Sequence, residues 1–259
     1  MKLVVLSDLH IHHDCDEFLG INSSNRLDAA VEAINADYDD ADLVIVNGDI
    51  THRRNVNGYR IAKVALDRLH CPLWLGLGNH DCRQGIAKVF GTDCLPGGYA
   101  QFSDRIGDYG VILLDTNGGG RSPDDQSVDV GHLCPQRMNW FRRQLWTFSD
   151  RPVIVVMHHT VLPLELTVDA TCLAEAGPFL RAIKTHGNVP LVVSGHVHLN
   201  STVRRAGTAF VTVSGGHFTT TAVHGALRDR REERTTGEGE FAVILGRPAQ
   251  VTIHCVRYA

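Results

Sequence analysis

Residues 43–49 read Leu-Val-Ile-Val-Asn-Gly-Asp, an unbroken apolar run that stops on small and polar residues. A strand with both faces buried has this form, because each side of its pleat meets other protein. The form recurs on either side: residues 3–6 (LVVL) run into Ser7-Asp8, and 72–75 run into Gly76-Leu77-Gly78-Asn79. Between these runs the period changes. Leu27, Val31, Ile34 and Tyr38 fall at helical spacing within 22–38, and 59–69 reads as a second helix. Ser23, Ser24 or Asn25 is the expected N-cap of the first. Strand, helix, strand, helix, strand predicts βαβ units and a largely parallel inner sheet. Such sheets bind ligands beyond the carboxyl ends of their strands.

Farther out, 109–114, 152–157 and 190–193 read as strands, and 135–148 and 174–185 as helices. Short apolar runs at 202–205, 209–213, 241–245 and 250–256 predict a β-rich closing segment over 199–259. Segments 117–131 and 226–240 are loops by composition. No repeat or linker divides the chain, so one domain spanning 1–259 is expected, with its motifs between 8 and 198.

The composition is that of an ordinary globular protein, with 43% hydrophobic and 21% charged residues among 259. A net charge of -4 argues against a broad grip on nucleic acid. No apolar run reaches the roughly 18 residues of a membrane span, and the start, MKLVVLSDLHIHH, is too short for a signal-peptide core. Seven cysteines, an odd number without a CxxC pair, point to a reducing compartment, the cytoplasm. Fifteen histidines against 25 Lys and Arg ask for metal or proton-transfer chemistry.

The strand exits carry that chemistry. They read Asp8-Leu9-His10, Gly48-Asp49, Gly78-Asn79-His80-Asp81, His158-His159 and Gly195-His196-Val197-His198. A lone histidine after a strand is usually a cap or a surface residue; five exits bearing Asp, Asn or His are not chance. Imidazole with carboxylate and amide oxygen suits Mn, Fe, Zn or Ni, whereas Ca or Mg prefers an all-oxygen cage. DxH and HxH put alternate side chains on one side of an extended segment. A carboxylate such as Asp49 can span two ions, which lower the pKa of a bridging water and bind phosphate oxygens. No Ser or Cys nucleophile is then needed.

The ordered blocks DxH, GD, GNHD, H and GHxH resemble the calcineurin-like metallophosphoesterases over about three quarters of the chain. The resemblance implies an α/β fold, a four-layer αββα double β-sandwich of mixed sheets flanked by helices. It implies one metal held by Asp8, His10, Asp49 and His198, and a second by Asp49, Asn79, His158 and His196. Manganese and iron come first among the candidate ions. His80 would face the phosphate as stabiliser or proton donor, with Asp81 orienting its ring, and Asn79 would lie beside the same phosphate. Arg53 resembles the arginine of GDxxDR in phosphoprotein-hydrolysing relatives and would clamp a phosphate oxygen, although His52 stands where that subgroup has Asp. His159 supports the site or packs. His12 and His13 contact substrate or lie in an exposed loop, the loop being favoured. Cys82 reads as a small buried residue. His217 and His224 line the pocket mouth or serve structure alone, the latter being favoured.

The DLH start, LLDTN at 113–117, a Trp-bearing helix, MHH and GHVH resemble the compact bacterial group acting on cyclic nucleotides and glycerophosphodiesters. The expected function is a dinuclear-metal phosphodiesterase using a metal-bridging hydroxide on a small phosphodiester. The alternative is a phosphomonoesterase or pyrophosphohydrolase at the same site, favoured by extra Arg or Lys around the pocket. A small-molecule phosphate ester is the expected partner, with homodimer formation left open. A nuclease is opposed by the acidic charge, and an inactive scaffold by the intact blocks.

Overall fold

The first half of the chain runs β1 (Lys2–Leu6), β2 (Glu17–Phe18), β3 (Ile21–Asn22), α1 (Ser23–Asp37), β4 (Leu43–Asn47), α2 (Val56–Leu66), β5 (Leu73–Gly76) and α3 (Arg83–Phe90). It continues through β6 (Phe102–Ile106), β7 (Tyr109–Leu114), α4 (Pro135–Thr147), β8 (Val153–Met157), α5 (Ala176–His186) and β9 (Leu191–Ser194). Last come β10 (Ser201–Arg205), β11 (Thr208–Thr212), β12 (Thr219–His224), β13 (Arg230–Thr235), β14 (Gly239–Arg247) and β15 (Gln250–Tyr258). This computed structural model describes residues 1–12, 17–119, 129–224 and 230–258. His13, the side chain of His224, and most of the 117–131 loop lie outside the described residues.

Two mixed sheets form. The first has the order β15-β14-β1-β4-β5, and the second β10-β11-β9-β8-β7-β6. Strands β1, β4 and β5 are parallel, as are β7, β8, β9 and β11; antiparallel strands close each sheet. Alternation along the inner strands assigns the layers. Leu3, Val5, Leu43 and Ile45 face Val111, Leu113, Ile154 and Val193 of the other sheet. Their neighbours Val4, Leu6, Val44 and Val46 face Leu27, Val31, Ile34, Tyr59 and Ile86 of α1–α3. Ile112, Leu114, Val155 and Met157 likewise meet Phe141, Leu145, Phe179 and Ile183 of α4 and α5. The result is the expected αββα stack. Full burial on both faces explains why these strands read as solid apolar runs, each such side chain contributing about 1.5–3 kcal/mol.

The details differ from the sequence reading at several points. The N-cap of α1 is Asn22, whose side chain accepts from Asn25 N at 3.0 Å. Helix α2 starts earlier than expected because Asn55 caps it, accepting from Asn57 N at 2.8 Å. The 226–240 segment is not a loop throughout: Arg230–Thr235 pairs antiparallel with β12, register Thr219↔Thr235. Its charges masked a strand that pairs through ladder bonds with the segment carrying the β-branched threonines of β12.

Candidate metal centre

All five motifs leave their strands on the same edge. The exits of β1 and β4 are laced together by Asp8 N donating to Gly48 O (3.0 Å) and His10 N to Asp49 O (2.9 Å). In the second sheet Gly195 N donates to His158 O (3.0 Å), lacing the exits of β8 and β9, and Gly216 N to Ser7 O (2.8 Å) links this side to the exit of β1. Asp8, His10, Asp49, His196 and His198 all sit at positive φ, from 44° to 71°. Asp and His tolerate the left-handed region better than most residues, yet such conformations persist only where surroundings impose them. Here the imposed turns aim five chemically active side chains at one point. Glycines make the close approach feasible: a Cβ on Gly78 would lie 2.6 Å from His158 Nε2, and one on Gly195 2.7 Å from Asp8 Oδ2.

Two donor clusters result, Asp8–His10–His198 and Asp49–His158–His196. In the first, His10 Nε2 is 3.0 Å from His198 Nε2, and His198 Nε2 is 3.6 Å from Asp8 Oδ1. In the second, Asn79 Oδ1 lies 3.3 Å from His158 Nε2 and 3.0 Å from His196 Nδ1. Asp49 Oδ2 is 3.5 Å from both His10 Nε2 and His158 Nε2, so this carboxylate stands between the clusters.

The surroundings fix which nitrogens face inward. His158 Nδ1 lies 2.9 Å from Asn47 O and His198 Nδ1 3.0 Å from Phe218 O. A carbonyl can only accept, so both Nδ1 atoms carry the hydrogen and both Nε2 atoms offer a lone pair or a second proton. His196 Nε2 contacts Thr171 Oγ1 at 2.8 Å, leaving Nδ1 toward Asn79. The Asn79 amide is oriented in turn, its Nδ2 donating to Asp129 Oδ1 at 3.1 Å.

Burial pushes His10 well below its ordinary pKa, and His196 down to about 3 with help from the neighbouring His158. Burial opposes charge on His158 too, but the Asp49 carboxylate outweighs it and lifts that imidazole to about 9. Asp49 shows the reverse: burial would raise it, yet His158 and its neighbours hold it well below the usual carboxylate range. The centre therefore calls for positive charge between Asp49 and His158. A divalent ion meets that demand as a proton does, and the buried N/O donor set fits transition metals.

His80 is half-buried, donates its backbone N–H to Asp49 Oδ1 at 2.8 Å, and lies edge-on to His10 with ring centroids 4.8 Å apart. Asp81 does not orient that ring in this structure. Its carboxylate accepts from Ile50 N (3.1 Å), Thr51 N (3.2 Å), Gly78 N (3.0 Å) and Tyr59 Oη (2.9 Å). It ties the turn after β4 to the turn after β5, and so sets the separation of Asp49 and Asn79. Burial and the nearby Asp49 charge raise it to about 6.

Arg53 is also displaced from its expected role. It is exposed, in a short turn at φ 51°, and does not line the cavity over the centre. That cavity, about 430 Å³, is lined instead by Asn79, His80, Asp129, His196, His217 and Arg234 among others. His217 is thus a lining residue, the less favoured of the two readings of the sequence. Arg234 comes from β13, the segment read as loop, and its guanidinium sits 5.1 Å from the centroid of Phe218. Phe218 in turn stacks on His198 at 3.9 Å and 6°. Asp129 and Arg234 escaped sequence reading because each lies in a polar run without periodicity. Cys82 is the N-cap of α3, its sulfur accepting from Gly85 N at 3.3 Å. His159 does both things left open for it: fully buried, it holds Thr116 Oγ1 at 2.8 Å and packs 4.7 Å from the His196 ring.

Comparison with known proteins agrees. The chain is 30% identical over 201 residues to a probable cyclic nucleotide phosphodiesterase of Rhodopseudomonas palustris, covering 76% of this chain and 72% of that protein. It is 26% identical over 199 residues to a 3',5'-cyclic adenosine monophosphate phosphodiesterase of Pseudomonas aeruginosa (76% and 69% covered). A glycerophosphodiester phosphodiesterase of Enterobacter lignolyticus is 28% identical over 206 residues (76% and 71%). In fold, the chain superposes on a dimetal phosphatase from Danio rerio with a TM-score of 0.72 at 14% identity, covering 99% and 96% of the two chains. The family description "Calcineurin-like phosphoesterase" matches residues 1–200. The chain therefore belongs to the calcineurin-like phosphoesterases, metal-dependent hydrolases of phosphoric esters that work with a dinuclear metal centre.

Proposed function

We propose that this chain hydrolyses a small phosphodiester of the 3',5'-cyclic nucleotide or glycerophosphodiester class. Asp8, His10, Asp49 and His198 would hold one metal ion, and Asp49, Asn79, His158 and His196 the other. Manganese and iron suit the mixed nitrogen and oxygen donors best. When bound, the ions would polarise the phosphate and make water nucleophilic at neutral pH. Asp49 contributes the shared carboxylate, and Asp81 keeps it in register through the turns it bonds. His80, free of either donor cluster's inner positions, would give a proton to the leaving alkoxide, whose basicity makes that transfer valuable.

The observation that carries the diester reading is the charge around the cavity. Asp129 places a carboxylate beside Asn79, and Arg53 lies outside the lining residues. A diester brings one negative charge and a terminal monoester brings nearly two, so the added carboxylate disfavours the monoester. The names of the curated relatives support the same class. Arg234 at the mouth is the observation that favours the second reading, a phosphomonoesterase or pyrophosphohydrolase, since it could pair with a terminal phosphate. A cytoplasmic setting is part of the proposal, supported by six described cysteines that are all free. No helix among the described residues is long and apolar enough to cross a membrane.

The test compares rates, with manganese, on bis(p-nitrophenyl) phosphate, p-nitrophenyl phosphate, cyclic AMP and glycerophosphocholine. The diester reading expects the first compound to outrun the second and one natural diester to turn over. Preference for p-nitrophenyl phosphate would hand the site to the second reading.

A further inference from the structure

A third group of imidazoles lies against the centre. Ring nitrogens of His10, His52 and His80 lie within 4.8 Å of one another. His52 is in the middle: its ring stacks on His80 at 5.0 Å and 23°, and on His12 at 4.4 Å and 23°. Its Nδ1 lies 3.5 Å from Nδ1 of His10.

This contact sets His10 apart from the other imidazoles of the centre. His158, His198 and His196 each turn their outer nitrogen to an oxygen atom, of Asn47, Phe218 and Thr171 respectively. His10 turns its outer nitrogen to another ring nitrogen. Two imidazole nitrogens at 3.5 Å are long for a hydrogen bond. They match the spacing of two ligands on one tetrahedral ion: zinc–nitrogen bonds of about 2.0–2.1 Å place neighbouring nitrogens roughly 3.3 Å apart. A group of three imidazoles with no carboxylate among them selects zinc, copper or nickel over magnesium, calcium or manganese.

We propose that His10 Nδ1, His52 and His80 form a third cation site, selective for zinc-like ions, whose occupation inhibits hydrolysis. The inference rests on the dinuclear reading, since His10 would serve the pair through Nε2 and the third ion through Nδ1. Binding breaks the Nδ1–H bond of His10, forms a metal–nitrogen bond and releases that proton to solvent; no electrons are transferred. His80 held by the third ion is withdrawn from the phosphate, which is why occupation inhibits. The inhibitory ion would be most effective against esters with poor leaving groups, the ones that need a proton from His80.

The test strips the full chain of metal with a chelator, confirms by circular dichroism that it stays folded, and titrates it with zinc against a chromophoric chelator, reading stoichiometry, proton release and rate. The expected result is three zinc equivalents per chain. The third, weakest equivalent releases a proton and suppresses turnover of the natural diester. His52→Asn and His52→Gln, each checked for folding by circular dichroism, should take two equivalents and shift the inhibitory zinc concentration up by about tenfold or more. Copper in the third position should give an electron paramagnetic resonance spectrum with splitting from several nitrogens. Wild-type uptake stopping at two equivalents, or folded His52 variants still taking three, overturns the site. Uptake below two overturns the dinuclear reading and this inference with it.

Discussion

Nε2 of His10 and Nε2 of His198 face each other at 3.0 Å, their rings stacked 4.9 Å apart at 19°. Because His198 gives its Nδ1 hydrogen to the Phe218 carbonyl, its Nε2 points a lone pair at His10, beside the Asp8 carboxylate. Nitrogen and oxygen lone pairs converge inside the protein at this point. Such a convergence is stable when a cation sits in it, which couples metal binding to the stability of the fold.

Metal removal should therefore be visible without substrate. A ligand held at 100 times its Kd stabilises by about 2.7 kcal/mol, which for a chain of this length is roughly 5–10 °C in Tm. Chelation should lower Tm by that amount, and manganese should restore both Tm and turnover. A melting curve indifferent to exhaustive chelation would contradict the convergence as a metal site.

Asn79 and His80 are neighbours with different expected failures. Asn79→Ala removes the oxygen that lies between His158 and His196, so metal analysis should fall from two equivalents toward one. Its kcat/KM should drop beyond the roughly 10–100-fold seen for outer partners of a ligand. His80→Ala should keep two manganese equivalents while losing about 10²–10⁴-fold on an alkyl ester, and far less on a p-nitrophenyl ester. Equal losses on both esters would remove His80 as the proton donor.

Arg234 should act on binding. A charge-assisted hydrogen bond is worth about 1.5–3 kcal/mol, so Arg234→Ala should raise KM about 10- to 100-fold with kcat little changed. Arg53→Ala is the control. If its effect on KM matches that of Arg234→Ala, the clamp returns to the residue picked from sequence.

Cys134 should be an unusually reactive thiol. Burial pushes it up, but Arg137, 3.5 Å from the sulfur, and the Tyr99 hydroxyl bring it down to about 7. The thiolate is favoured above that value and the thiol below it, so alkylation should accelerate as pH rises through 7 and level off near 8. Cys255 is exposed, yet burial of its sulfur and Glu240 push it up, so it should lag at neutral pH. Tyr99→Phe should move the Cys134 midpoint upward. Peptide mapping after a pulse of iodoacetamide reads both, and labelling led by Cys255 at pH 7 would refute the assignment.

Strand runs such as Leu43–Asn47 and the polar residues that end them were legible because burial on both faces leaves a local mark, an uninterrupted apolar stretch. Helix ends were less legible. Asn22 and Asn55 cap through side chains that compete with equally good candidates one or two residues away. The strand Arg230–Thr235 was hidden because its partners are backbone groups of Thr219–His224, and ladder bonds leave no apolar trace.

What the amino-acid order determined by itself is the succession of buried strands and amphipathic helices and the residue types at five strand ends, since both follow from rules that act over a few neighbouring positions. The αββα layering was implied by the family resemblance. Only the tertiary structure decided how those ends are used. Asp81 ties turns instead of a ring, Arg234 replaces Arg53 at the mouth, and Asp129 fixes the Asn79 amide. The reason is distance along the chain. Each of these depends on partners brought close by sheet pairing and turn geometry, and no local pattern records which remote group will fill a carboxylate's or an amide's hydrogen bonds.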